Sequence, residues 1–282
     1  MNFVQLNKYA GNTTKVKFST IPYLVYPALE SIDFIRHGFS TRLGGVSEGH
    51  LASMNLGWER DDLRENVVKN HEIIAEAMGF DAKNIVTSHQ THTTNVRLVT
   101  KEDCGKGIYR ERDFDNVDGL ITQEKNVVLA TYFADCVPLF LVDPKQKAIG
   151  LSHSGWKGTV GKIGKKTIEK MEECFGTKPE DVIACVGPSI CQECYEVSGD
   201  VARQFQEVFP KHRNEILKDR GSDKYLLNLW KCNELIFQES GVRPEHIHVT
   251  DVCTCCNTDV LFSHRGHQGK RGNLAAFLEI KE

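Results

Sequence analysis

Two imidazoles and one thiol carry the chemistry this sequence suggests first. His92, Cys136 and His153 each stand in a short polar segment that follows a run of apolar residues, which is where loops from neighbouring buried strands converge on a site. Imidazole nitrogen and thiolate are preferred zinc ligands, and three protein ligands leave a fourth position open for water or substrate. Copper accepts the same donors. No regular spacing of the H-E-x-x-H kind ties the three together. Taken singly, Cys136 also suits a small buried hydrophobe and each histidine a hydrogen-bonded loop residue, and on spacing alone that structural role leads. A further arrangement makes Cys136 a nucleophile with His153 as its base, as in cysteine–histidine hydrolases.

The elements that must position these residues alternate between strand-like and helix-like runs. A short run at 34–41 ends in Arg42-Leu43-Gly44-Gly45, where paired glycines mark a turn. Residues 62–78 space their apolar side chains for a helix that starts in acids and stops at Gly79. Strands are predicted at 85–87 and 95–99 on either side of the segment holding His92. Two nearly continuous apolar runs, 127–132 and 137–142, read as buried strands with Asp135-Cys136 between them. A strand at 148–151 delivers His153 into a loop, followed by a helix over 160–174. Strands at 182–186, 247–249 and 275–280 and helices over 201–209 and 229–240 complete a layered α/β pattern. No long Pro, Gly or Ser tract and no internal repeat divides residues 1–282, so one domain is expected, with residues 1–20 as a peripheral N-terminal segment.

Several segments in order along the chain resemble one family. Gln90-Thr91-His92, Ala134-Asp135-Cys136-Val137-Pro138 and the run from His153 to Thr159 look like the three signature segments of the multicopper polyphenol oxidase (laccase-like) proteins, also called the purine nucleoside phosphorylase family. The runs Gly38 to Ser47, Asn55-Leu56-Gly57, Gly187 to Ile190, Tyr195-Glu196-Val197, Cys253-Thr254 and Phe262 to Arg265 match as well, so the likeness extends from about Gly38 to the C-terminus. It implies a four-layer αββα sandwich with mixed sheets, akin to CNF-toxin-like deamidases, and a metal on His92, Cys136 and His153. It also implies phosphorolysis of adenosine, inosine, guanosine and methylthioadenosine, with hydrolytic deamination of adenosine. The alternatives are a copper-dependent polyphenol oxidase, a cysteine–histidine hydrolase and a non-catalytic purine-binding protein.

Under that reading Asp135 is the candidate acid for the departing nitrogen. Arg42, backed by Lys157 and Arg265, is the candidate grip on phosphate, and Asn55 and Gln90 offer amides for a purine edge. Asp118, preceding Gly119, reads equally as a turn residue. A formal net charge of -3 gives no cationic field for nucleic acid. Neither an export signal nor a membrane-length apolar run is evident, which makes the cytoplasm the expected compartment. The oligomeric state is left open.

Ten cysteines then read as reduced thiols or ligands. Cys191 with Cys194 and Cys253 with Cys256 form two C-x-x-C pairs, but the stretch between them is far longer than in a compact zinc ribbon, and a large domain needs no metal staple. A structural zinc on these four is therefore the secondary reading, and the set is expected to be a decoy, with Cys255 and Cys256 departing from the family pattern. The glycines at 158, 161 and 164 imitate a phosphate loop but lack its spacing, and close helix packing accounts for them better.

Overall fold

A computed structural model describes Phe3 and residues 13–58 and 60–282. Most of the segment at 1–20 therefore lies outside the described residues. The chain builds two six-stranded mixed sheets and one small three-stranded sheet. In spatial order the first sheet takes β1 (Lys15–Phe18), β2 (Pro22–Val25), β3 (Ile35–Ser40), β15 (Leu274–Ile280), β7 (Val128–Phe133) and β4 (Ile85–Thr87). The second takes β14 (Ile247–Val249), β10 (Ile183–Val186), β8 (Val137–Asp143), β9 (Ala148–Ser154), β6 (Gly119–Thr122) and β5 (Val96–Leu98). The small sheet is β11 (Glu196–Ser198), β13 (Lys224–Leu227) and β12 (Leu217–Gly221).

The apolar runs dictate how these layers stack. Every residue of β8, β9 and β15 is buried, so both faces of those strands need cover. Between the sheets, Phe39, Phe133, Phe140, Leu151, Phe262 and Leu278 form one apolar layer. Burial of each such side chain contributes about 1.5–3 kcal/mol. The outer face of the first sheet packs on a helix over Arg64–Met78 through Ile74, Ala75 and Met78. The outer face of the second packs on helices over Ile163–Phe175, Gly199–Val208 and Leu229–Glu239 through Ile168, Phe205 and Phe237. The order helix, sheet, sheet, helix is the four-layer mixed α+β sandwich. No helix among the described residues is long and apolar enough to cross a membrane.

Most elements fall within two residues of their sequence-based positions. Two departures affect the site. The helix expected over 160–174 is two helices, Trp156–Val160 and Ile163–Phe175, because Lys162 between them is left-handed (φ 56°). Close packing does account for the glycines: a Cβ on Gly164 would lie 2.9 Å from the Phe237 ring, and one on Gly161 2.5 Å from Thr94. The strand expected over 148–151 runs on to Ser154, so His153 is a strand residue opposite Pro138 and not a loop residue.

Two buried histidines tie helix and sheet together in their neutral form. The Nε2 of His37 accepts the Tyr26 amide at 2.8 Å, and burial, with Lys17 adding, pulls this ring down to about 3. His71 bridges the Val67 carbonyl at 2.7 Å and the Tyr132 hydroxyl at 3.0 Å, and burial pulls it down to about 4 against the helix carbonyl. Unfolding frees both rings to take protons below their ordinary value of 6.5. The unfolded state thus binds more protons in that range, and stability rises with pH there. Stability measured by urea denaturation is expected to fall between pH 6.5 and pH 4, by about 1.4 kcal/mol per imidazole per pH unit once the unfolded rings are charged. A flat profile over that interval would contradict the neutral assignment.

Candidate active site

The chain crosses from the first sheet to the second twice, at one edge of the sandwich. One crossing is the loop 88–95 between β4 and β5, and the other is 134–136 between β7 and β8. His92 lies on the first crossing, Cys136 on the second, and His153 on β9 beside the start of β8. One ligand atom from each lies within 4.8 Å of those of the other two. Three residues far apart in the sequence thus meet at one place in the fold.

What holds them there is Asp118, a fully buried carboxylate just ahead of β6. It accepts the amides of Thr91 at 3.1 Å, His92 at 3.1 Å and Thr93 at 2.8 Å, and the Thr93 hydroxyl at 2.9 Å. Its Oδ1 also takes Nδ1–H of His153 at 2.8 Å, while its backbone carbonyl takes the His153 amide at 2.7 Å. With Nδ1 so engaged, Nε2 of His153 is the nitrogen left for a ligand, the usual second-sphere arrangement of a metal-binding histidine. Burial opposes the charge of Asp118, but the bond and charge of His153 and the Thr93 donors outweigh it and hold the carboxyl below its ordinary value. In turn, burial would lower His153, but negative charge at Cys136 and the bond to Asp118 push it up to about 9. Partial burial and the neighbouring His153 pull His92 down.

Backbone strain marks both crossings. His92 (φ 62°) and Asp135 (φ 91°) are left-handed non-glycine residues, a conformation kept only where surroundings over-determine it. For Asp135 the surroundings are the Thr254 hydroxyl at 2.7 Å and the Arg265 amide at 2.7 Å on its carboxylate, and the Ile190 amide at 3.0 Å on its carbonyl. Gly155 completes the cradle: a Cβ there would lie 2.7 Å from Nδ1 of His92 and 3.1 Å from Sγ of Cys136.

The three side chains open into a cavity of about 260 Å³. Of the other residues singled out from sequence, Gln90 lines it, but its amide is engaged with both backbone groups of Tyr132 at 2.7 Å, clasping the first crossing to β7. Asn55 is buried behind the wall, where it fixes Gly57, Asp62 and Asn273. Asp135 faces Thr254 and Arg265 and does not line the cavity. Arg42 lies over the Phe262 ring at 4.7 Å and donates to the carbonyls of Ala52 and Thr258. Arg265 lies over Tyr195 and donates to the Cys194 and Glu196 carbonyls. Lys157 is exposed beside Trp156.

The arginines that do line the cavity are Arg60, Arg112 and Arg271, which sequence reasoning missed. Among the described residues none of the three has a carboxylate within salt-bridge distance. Arg112 donates to Thr87 and the Ser88 carbonyl, and Arg60 to Asn273 at 3.1 Å. Arg271 also reaches Asn273, yet its buried Nε has no partner. Burial, with the charge of Arg60 adding, pulls Arg271 down to about 10.

Residues 36–281 match the family described as multi-copper polyphenol oxidoreductase laccase. The chain belongs to this family. A Bacillus subtilis member named purine nucleoside phosphorylase YlmD is 39% identical over 249 residues, covering 87% of this chain and 88% of the relative. A Bacteroides thetaiotaomicron member named purine nucleoside phosphorylase is 35% identical over 259 residues, covering 91% and 96%. Among solved structures, YlmD from Geobacillus stearothermophilus superposes with a TM-score of 0.87 at 33% identity over 95% of this chain and 99% of that one. The Bacillus licheniformis protein YfiH gives 0.89 at 29% over 94% and 99%.

Because one carboxylate fixes both the loop of His92 and the ring of His153, Asp118→Ala is expected to cost about 3–5 kcal/mol, as removal of one partner from a buried charged pair does. Chemical denaturation measures it. A loss below about 1 kcal/mol would mean that the crossing is held by other contacts.

Proposed function

We propose that this chain is a zinc-dependent purine nucleoside phosphorylase, acting on adenosine, inosine, guanosine and methylthioadenosine, with adenosine deamination as a second activity of the same cavity. The observation that carries this reading is the neighbourhood of two chemistries: a cluster of two imidazoles and one thiol, and guanidiniums that meet no carboxylate at salt-bridge distance among the described residues. An anionic co-substrate fits the second feature, since arginine forks match phosphate oxygens with charge-assisted hydrogen bonds. Relatives named purine nucleoside phosphorylase support the coarser part of this reading, purine nucleosides with phosphate.

His92, Cys136 and His153 would hold the metal, and the fit rests on their donor types, on the bond from His153 to Asp118 and on the space kept by Gly155. Zinc bound there would supply a Lewis acid. The remaining work falls to the chain. Burial and the charge of Arg60 both act against the charged form of Arg271, and an anion bound between the two guanidiniums would offset both. An oxygen of monohydrogen phosphate held there bonds to the sugar carbon as the glycosidic bond breaks, and the purine leaves with the bonding electrons and takes up the proton that the phosphate gives up. Trp58 and Tyr132 supply aromatic wall for the base. The Asp118 bond keeps the His153 ring from turning, and the Gln90 clasp on Tyr132 keeps that wall in place.

A copper-dependent phenol oxidase is the reading to separate from this one, because two imidazoles with one thiolate also suit copper. Chromatography of purified protein with adenosine and phosphate is expected to give adenine and ribose 1-phosphate, and without phosphate inosine and ammonia, with Cys136→Ala lacking both. Stoichiometric copper with phenol turnover and no purine product would overturn the proposal.

For the phosphate grip, Arg271→Met is expected to raise the KM for phosphate about tenfold or more, the worth of a charged hydrogen bond. The KM for nucleoside should move far less. An unchanged phosphate KM would remove Arg271 from the binding site.

A further inference from the structure

The two C-x-x-C pairs, far apart in the sequence, come together in the fold. Cys191 and Cys194 follow β10, Cys253 and Cys256 follow β14, and these two strands are parallel neighbours. Parallel pairing sends both following loops out at the same end of the sheet, and the isolated bridge between Ser189 and Cys253 continues the pairing into them. The long intervening stretch builds the small sheet and the helix over Leu229–Glu239, so sequence distance is no obstacle. One sulfur from each of the four cysteines lies within 4.8 Å of the other three. Each pair stands 62 positions from its counterpart, Cys191 opposite Cys253 and Cys194 opposite Cys256.

We infer that Cys191, Cys194, Cys253 and Cys256 form a second metal centre, a structural tetrathiolate zinc site outside the cavity. Zinc–sulfur bonds of about 2.3 Å in a tetrahedron put the sulfurs about 3.8 Å apart. The Sγ atoms of Cys194 and Cys256 are 3.5 Å apart, too far for a disulfide at about 2.05 Å and close to the tetrahedral edge. The Cys191 amide points at Sγ of Cys253 at 3.2 Å, the kind of N–H···S bond that supports a metal thiolate. Each pair is closed by a short 3₁₀ turn, Gln192–Cys194 and Cys255–Asn257. Cys255 is not a fifth ligand: it packs against the apolar core under the second sheet.

Such a centre would brace the active site from behind. Thr254, between two ligands, donates to Asp135, and Ile190, just before the first ligand, donates to the Asp135 carbonyl. Arg265 joins the Asp135 carboxylate through its amide to the Cys194 carbonyl through its guanidinium. The strained turn that presents Cys136 therefore rests on loops the zinc would clamp together.

The test uses Cys136→Ala protein, which lacks a ligand of the cavity cluster, so that its result is separate from the proposal for that cluster. After expression with zinc and gel filtration, it is expected to retain about one zinc per chain, with X-ray absorption showing sulfur neighbours only, at about 2.3 Å. Adding Cys194→Ser and Cys256→Ser is expected to remove that zinc and lower the thermal midpoint. Metal-free Cys136→Ala protein, nitrogen or oxygen neighbours, iron in place of zinc, or disulfides linking the pairs in unreduced protein would each overturn the assignment. Should the triple variant fail to fold, absorption on Cys136→Ala alone decides.

Discussion

The site depends on one buried carboxylate. Two sheets packed face to face have no reason to bring particular loops together, because apolar packing between them is indifferent to which residues sit at the edge. Asp118 supplies the missing direction. Its oxygens collect three successive amides from one crossing loop and the imidazole of a strand residue, and an ionised acceptor in that setting makes stronger bonds than neutral partners do. The left-handed backbone of His92 follows, since the amides of Thr91, His92 and Thr93 can converge on one carboxylate only if the loop curls around it.

The cavity beyond that carboxylate is an electrostatic bargain between two sides. Cys136 and Asp118 place negative charge where His153 sits, and that ring is pushed up in response. Arg60 and Arg271 place positive charge on another part of the wall, with no carboxylate among the described residues at salt-bridge distance, and burial together with the charge of Arg60 pulls Arg271 down. A cation at the first place and an anion at the second would satisfy both sets of residues. On the proposed function, this polarity lets one small space hold a metal and a phosphate side by side.

Motif order made the triad legible, and apolar runs made the central strands legible. The remainder was hidden for particular reasons. Asp118 precedes a glycine, and Asp-Gly is a common turn pair, so its type and neighbour gave no sign that five donors would converge on it. Arg42 attracted attention because Gly44 and Gly45 follow it, yet those glycines serve the chain itself: a Cβ at Gly45 would meet the Ser53 carbonyl at 2.2 Å, and Arg42 binds that same loop through the Ala52 carbonyl. Arg60, Arg112 and Arg271 stand among ordinary polar residues, and only the fold turns them toward one space. Asp135 looked like an acid for catalysis because it adjoins Cys136, but its left-handed backbone sends neighbouring side chains different ways.

The cysteine pairs show the same limit from the other side. A metal site is usually sought at short spacing, because a small domain must close its ligands over a few residues. In a parallel sheet, neighbouring strands are separated in sequence by whatever the crossover contains, while their following loops stay adjacent in space. The measure that matters is therefore the number of strands between two loops and not the number of residues. By that measure the loops after β10 and β14 are immediate neighbours. The turn of Cys136 leans on them through Asp135, so the two clusters of ligands, far apart along the chain, share one load path: thiol pairs hold loops, loops hold Asp135, and Asp135 sets the direction of the cavity thiol.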